Sequence, residues 1–147
     1  MKIGLAPGDA ATRTLVVDEQ RCIAFMGPDN MVYATPRMAS DMESLCRDML
    51  LAALDPGADS VGTHIAIDHI AATPLGMTVT IEARVLEVGE RSVSFEVSAA
   101  DSIEPCGRAK HVRFVVDAEK RKQRLAAKRA TAAAQKTNTR TTQETGR

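Results

Sequence analysis

Three side chains stand where their types are out of keeping with their surroundings. Glu43 falls between Leu50 and Leu54 on a helical wheel, inside an apolar sector and away from Asp41, Ser44 and Asp48. A carboxylate facing a core is costly unless it is paired or protonated, and desolvation raises its pKa. Pairing with Arg47 or Arg113 is the structural explanation; an acid, base or nucleophile is the functional one. His69 shares a strand face with Ile65 and Ile67 by alternation. A lone histidine there is ordinarily a satisfied core residue. It closes its strand just before Ala71-Ala72-Thr73-Pro74, however, where side chains can reach a cleft. An inward Glu and an inward His on adjacent elements can divide acid and base roles. Thr35 precedes Pro36 at the head of the helix that carries Glu43, and helix capping alone explains it. The same hydroxyl also sits where free N–H groups and the positive dipole end favour an anionic oxygen. Thr35 and Glu43, eight residues apart, share a similar azimuth, so the polar groups would line one groove.

The elements that must position them are legible as patterns. A helix is expected from Thr35 to about Leu54, where Asp55-Pro56-Gly57 stops it; Met38, Met42, Leu45, Cys46, Met49, Leu50 and Ala53 form its apolar face. Four period-2 strands follow. Val61, Thr63, Ile65, Ile67 and His69 share one face of the first, and Met77 to Val85 and Val93 to Ala99 alternate in the next two. In the last, Val112, Phe114 and Val116 alternate with His111 and Arg113. Turns fall at Pro74-Leu75-Gly76 and Gly89-Glu90, and Thr14–Val17 and Arg21–Met26 are short strand-like runs ahead of the helix. One long helix followed by an antiparallel meander is an α+β arrangement, an antiparallel sheet wrapped around one central helix. Such a small sheet leaves an edge strand that a second copy can cover, so a homodimer extending the sheet is expected, with the packing of dimers into a tetramer left open.

Composition narrows the function classes. The 147 residues fit one domain, 1–117, with a tail, 118–147. No run of about 20 apolar residues is present, and the amino terminus lacks a secretory apolar stretch, so no membrane partner and a cytoplasmic location are expected. Cys22, Cys46 and Cys106 are an odd number without a C-x-x-C pair, read as small buried hydrophobes rather than a disulfide or zinc set. The zero net charge conceals an asymmetry: residues 1–119 hold 10 Lys/Arg against 18 Asp/Glu, and residues 120–147 hold 9 against one. An acidic body is unlike a nucleic-acid-binding domain, and no aromatic residue interleaves the basic charges, so no nucleic-acid partner is expected. A helix is expected over 118–135 and disorder over 137–147. His64 and Asp68 face away from His69, so no metal site is expected, and no dinucleotide or phosphate loop or nucleophile elbow occurs.

The segment Val61 to Thr80 contains the run His69-x-Ala71-Ala72-Thr73-Pro74-x-Gly76-Met77-Thr78-Val79, with Glu43 placed 26 residues upstream of the histidine. With Ala34-Thr35-Pro36, Met42-Glu43 and Gly107 to Val115, it resembles the hotdog-fold acyl-CoA thioesterases of the fluoroacetyl-CoA thioesterase family, over roughly residues 4–117. The resemblance implies a hotdog fold and an active site at a dimer interface. It also implies hydrolysis of short acyl-CoA thioesters without a metal or organic cofactor, coenzyme A being part of the substrate. Thr35, Glu43 and His69 match the family's catalytic residues; Gly62 and Arg113 match its acyl-side glycine and last-strand arginine. One departure stands out: Gly27 to Ala34 is short, with Tyr33 its only aromatic, unlike the Phe-bearing lid of the fluoroacetyl-specific enzyme, so a different acyl group is expected. The rival readings are a non-catalytic acyl-CoA-binding protein, a hotdog hydratase, whose Asp/His motif is absent, and a nucleic-acid adaptor acting through the tail.

Overall fold

Period-2 alternation becomes long antiparallel strands, two of which present wholly apolar inner faces to the helix. The structure, a computed structural model, describes residues 2–145, with side chains to residue 137. Strands β1 (Ala10–Val16), β2 (Ala58–His69), β3 (Thr78–Val88), β4 (Ser92–Asp101) and β5 (Pro105–Asp117) form one antiparallel sheet in the order β1-β3-β4-β5-β2. Helix α1 (Thr35–Leu51) lies on it, and α2 (Ala118–Thr145) follows β5. Val79, Ile81, Ala83 and Val85 of β3 and Val93, Phe95, Val97 and Ala99 of β4 bury against Met38, Met42, Leu45, Cys46 and Leu50 of α1. These are the faces that alternation and helical spacing assign.

The expected meander is incomplete. β2 does not pair with β3 but crosses to the far edge beside β5. Adjacency of consecutive strands is a tendency, and β2, with Gly62, Thr63, His64, Ala66 and Asp68 exposed, has the small and polar composition of an edge. Arg21–Met26 is not a strand either. The Asp18 carboxylate accepts from the Arg21 N–H at 3.0 Å and turns Glu19–Arg21 into a 3₁₀ helix, leaving only a Cys22–Tyr33 bridge.

One face assignment changes and a second is settled. In β2 the register against β5 slips at Thr63, between the Gly62–Arg113 and His64–Val112 pairs. A bulge of this kind inserts one residue and exchanges the faces beyond it. Gly62 and His69, an odd number of residues apart, therefore both face α1, while Val61 faces away. In β5 the inward residues are Gly107, Ala109, His111, Arg113 and Val115, and Phe114 is exposed. Counting hydrophobes favours the opposite face; hydrogen bonds among the buried polar groups offset the difference, as described below. Helix α2 continues to Thr145, past the end expected at 135, since neither Gly nor Pro interrupts it before Gly146. Residues 146 and 147, within the segment expected to be disordered, lie outside the described residues. No helix among the described residues is long and apolar enough to cross a membrane.

Candidate active site

The head of α1 is capped by Ala34, whose carbonyl accepts from the Arg37 and Met38 N–H groups. Thr35 is the first helical residue, not the cap, so its hydroxyl is released from capping. It lies 2.7 Å from His69 Nδ1. His69 Nε2 is buried and meets no hydrogen-bond partner among the described residues. Beneath this pair His69 is in register with Gly107 of β5, where an added Cβ would run into the Met38 sulfur. Glycine at this point therefore lets α1 lie close on the sheet and sets the height of Thr35 above His69.

Two turns along α1, Glu43 meets the other end of β2. A Cβ added at Gly62 would lie 3.4 Å from Glu43 Oε1, 3.1 Å from His111 Cε1 and 3.6 Å from Arg113 Nη1. Arg113 is buried. Its Nε donates to Ser60 Oγ at 2.7 Å, Nη2 to the Ser60 carbonyl at 2.8 Å and Nη1 to His111 Nε2 at 3.2 Å. Five N–H donors exist on a guanidinium, so one on each terminal nitrogen is left for other partners. Burial lowers the Arg113 pKa and the Glu43 carboxylate opposes that shift, which places the two charges within each other's field. Glu43 makes no hydrogen bond or ion pair among the described residues, and Arg47, its other candidate partner, is bound to Asp59 at 2.5 Å. Cys46, one turn below, is a buried thiol pushed up to about 12, first by desolvation, with Arg113 opposing; it is an inert filler, as its place in the helical face indicated.

The two groupings are distinct within one chain. Thr35 and Glu43 are separated by about 12 Å of helix rise, and Gly62 and His69 by on the order of 20 Å of strand. The structure thus brings Thr35 to His69, and Glu43 to Gly62 and Arg113, but does not bring Glu43 to His69 in the protomer. His64 and Asp68 are exposed, Asp68 pairing with Arg108 at 3.2 Å, and no group of three His, Cys, Asp or Glu converges as a metal site among the described residues. Sequence reasoning missed His111 and Ser60. The signal was present in the small residues Gly107 and Ala109, which suit the helix-facing side and share the parity of His111 and Arg113.

Behind α1, the buried Tyr33 hydroxyl donates to Asp41, which also accepts from Arg21 Nε at 2.9 Å. Burial and that carboxylate both raise the Tyr33 pKa, so the phenol stays a neutral donor. This knot ties the segment before Thr35 to the helix.

A five-stranded antiparallel sheet with a long helix across it is the hotdog fold. A Thermus thermophilus thioesterase superfamily member shares the fold at a TM-score of 0.81, with 24% identity over 88% of this chain and 96% of its own. Residues 17–119 match the model of the fluoroacetyl-CoA-specific thioesterase family. The fluoroacetyl-CoA thioesterase of Streptantibioticus cattleyicolor is 35% identical over 127 residues, 82% of this chain and 91% of that protein. A solved structure of fluoroacetyl-CoA thioesterase superposes with a TM-score of 0.78 at 33% identity, covering 85% of this chain and 98% of that one. A mutant of that enzyme, solved in complex with fluoroacetate and CoA, gives 0.73 at 34% identity, over 79% and 98%. The chain belongs to the fluoroacetyl-CoA-specific thioesterase family.

Proposed function

We propose that this protein hydrolyses a small acyl-CoA to the carboxylate and free CoA, with Thr35, Glu43 and His69 as catalytic residues and Gly62 and Arg113 against the acyl group. The observation that carries this reading is the Glu43 carboxylate, half-buried beside Gly62 and Arg113 with no hydrogen bond of its own, in a chain of this family. A carboxylate so placed can attack a thioester carbonyl, breaking the C–S bond to expel CoA as thiolate and forming a mixed anhydride that water then cleaves, or can draw the proton from a water that attacks the carbonyl and displaces the same thiolate. The unclaimed Arg113 N–H groups and the backbone at Gly62 supply donors for developing negative charge. The reading calls on no metal or organic cofactor.

The partner subunit completes the site. β2 is an edge strand, and a two-fold axis at Ala66 would pair it with its own copy, Ile65 opposite the partner subunit's Ile67 and, with the Thr63 bulge taking up one residue, Gly62 opposite the partner subunit's His69. Residues directly opposite in an antiparallel pair point to the same side, so the Glu43–Gly62–Arg113 group of one subunit would face the Thr35–His69 pair of the other.

Selectivity for fluoroacetyl is not expected. Tyr33, the aromatic of the 27–34 segment, is buried and bound to Asp41, so it is spent on anchoring that segment and does not cover an acyl group. Phe25, ahead of the segment, points to solvent.

A panel of acyl-CoA esters assayed for thiol release tests the reading. The wild type is expected to turn over a small acyl-CoA, and Glu43→Ala and His69→Ala each to lose on the order of 10²-fold or more in kcat. Tight acyl-CoA binding without thiol release would replace it with a carrier function.

A further inference from the structure

The proposed chemistry leaves the fully buried imidazole of His111 without a role. Its two ring nitrogens have partners that fix their protonation. Nδ1 lies 2.8 Å from the His64 carbonyl, which can only accept, so Nδ1 carries the hydrogen. Nε2 lies 3.2 Å from Arg113 Nη1, which can only donate, so Nε2 presents its lone pair. The ring is therefore a neutral imidazole in a single tautomer, and a second proton would set an N–H against the guanidinium. Both partners matter to the site. His64 adjoins the Thr63 bulge, and it is the bulge that turns Gly62 and His69 onto one face of β2. Arg113 stands beside Glu43. The same ring supplies the nearest atom to the space above the Gly62 α-carbon, at 3.1 Å, and its other side stacks on Phe95 with centroids 6.5 Å apart. The charged or titratable groups that act on it are Glu43 from α1, His64 from β2 and Arg113 from β5.

We infer that His111 is a positioning residue for thioester hydrolysis: one nitrogen pins the β2 bulge and the other aims Arg113, so that Glu43, Gly62 and Arg113 keep their spacing around the acyl carbonyl. The inference rests on the site proposed above, and it gives a residue that touches no reacting atom a measurable part in the rate. Misplacement of a bound acyl group by about 1 Å costs on the order of 10²-fold in rate.

His111→Phe preserves the ring volume and the stack on Phe95 but removes both hydrogen bonds; His111→Gln keeps one donor and one acceptor. His111→Phe is expected to lower kcat by on the order of 10²-fold with KM for the acyl-CoA changed by less than about threefold, and His111→Gln to recover at least about tenfold of that loss. Long-range proton–nitrogen NMR of the wild type is expected to show the Nδ1–H tautomer through neutral pH, a signature that packing alone does not dictate. Wild-type kcat in a folded His111→Phe protein would overturn the inference. So would an Nε2–H tautomer, which can be read even if the phenylalanine variant fails to fold. Failure of the underlying site looks different: Glu43→Ala would then retain full turnover, whereas failure of this inference alone leaves Glu43→Ala inactive.

Discussion

Gly62 shows how much one missing methyl group can decide. Its backbone is not in the left-handed region, so an alanine there is conformationally ordinary; what it lacks is space, with His111, Glu43 and Arg113 all within 3.6 Å of the added carbon. Gly62→Ala is therefore expected to lower the melting temperature modestly, because the buried His111 ring must give way, while reducing kcat/KM for its acyl-CoA by about 10- to 200-fold, the range for one methylene in a substrate pocket. Thiol-release kinetics beside a thermal melt separate the two effects. The buried imidazole next to it makes a second prediction, on stability. Burial, joined by Arg113, lowers the His111 pKa below 6.5 in the folded chain. Between that lowered value and 6.5 the unfolded chain binds the extra proton, so stability rises with pH across this window and levels off above it. Urea unfolding is expected to show weaker stability at about pH 5.5 than at about pH 7.5, with that slope reduced in His111→Gln.

At the scale of elements, the placement of Thr35 and His69 depends on how closely α1 approaches β5. Gly107 leaves no room for a Cβ beneath Met38, and the sulfur belongs to a fully buried side chain of the hydrophobic core. Gly107→Ala is expected to cost about 1–3 kcal/mol through overpacking, seen as a lowered melting temperature, with a loss of activity because the helix must lift at the end that carries Thr35. The parts of the fold that sequence made legible are those where pattern and burial agree: α1 with its Met and Leu stripe, and β3 and β4 with unbroken alternation. The parts that escaped it have physical causes. A bulge has no residue signature, so Thr63 was placed in step with His69 when it marks the change of face. Hydropathy cannot see that Arg113 and His111 satisfy each other and Ser60, so alternation alone left open which face of β5 is buried. Thr35, read as a cap, kept its place at the helix head but surrendered the capping role to Ala34. Strand order was equally hidden, because nothing in the Ile70–Met77 connection says whether it makes a hairpin or crosses the sheet.

For the whole molecule the decisive question is how Glu43 and His69 could serve the proposed reaction together when a single chain holds them at opposite ends of β2. Helix α2 offers no answer. It packs beside the outer face of β5 around a groove of about 550 Å³ lined by residues such as Arg91, Phe114, Arg121 and Leu125, on the other side of the sheet from Glu43. Pairing of β2 across a two-fold axis does offer one, since an isologous contact presents the same patch twice and so builds two sites, each with one half from either subunit. This arrangement has a consequence that a site within one chain lacks. Glu43→Ala and His69→Ala dimers are each expected to be inactive. In a dimer that contains one of each, both lesions fall in the same site, and the other site combines the intact Glu43 of one subunit with the intact His69 of its partner. Refolding the two variants together in equal amounts should yield about half mixed dimers, each with one working site of two, and thus about a quarter of wild-type activity. If each chain supplied its own Glu43 and His69, every site in the mixture would carry a lesion and no activity would return. Sedimentation of the wild type as a dimer is the accompanying requirement, because without it β2 has no partner from which the missing half can come.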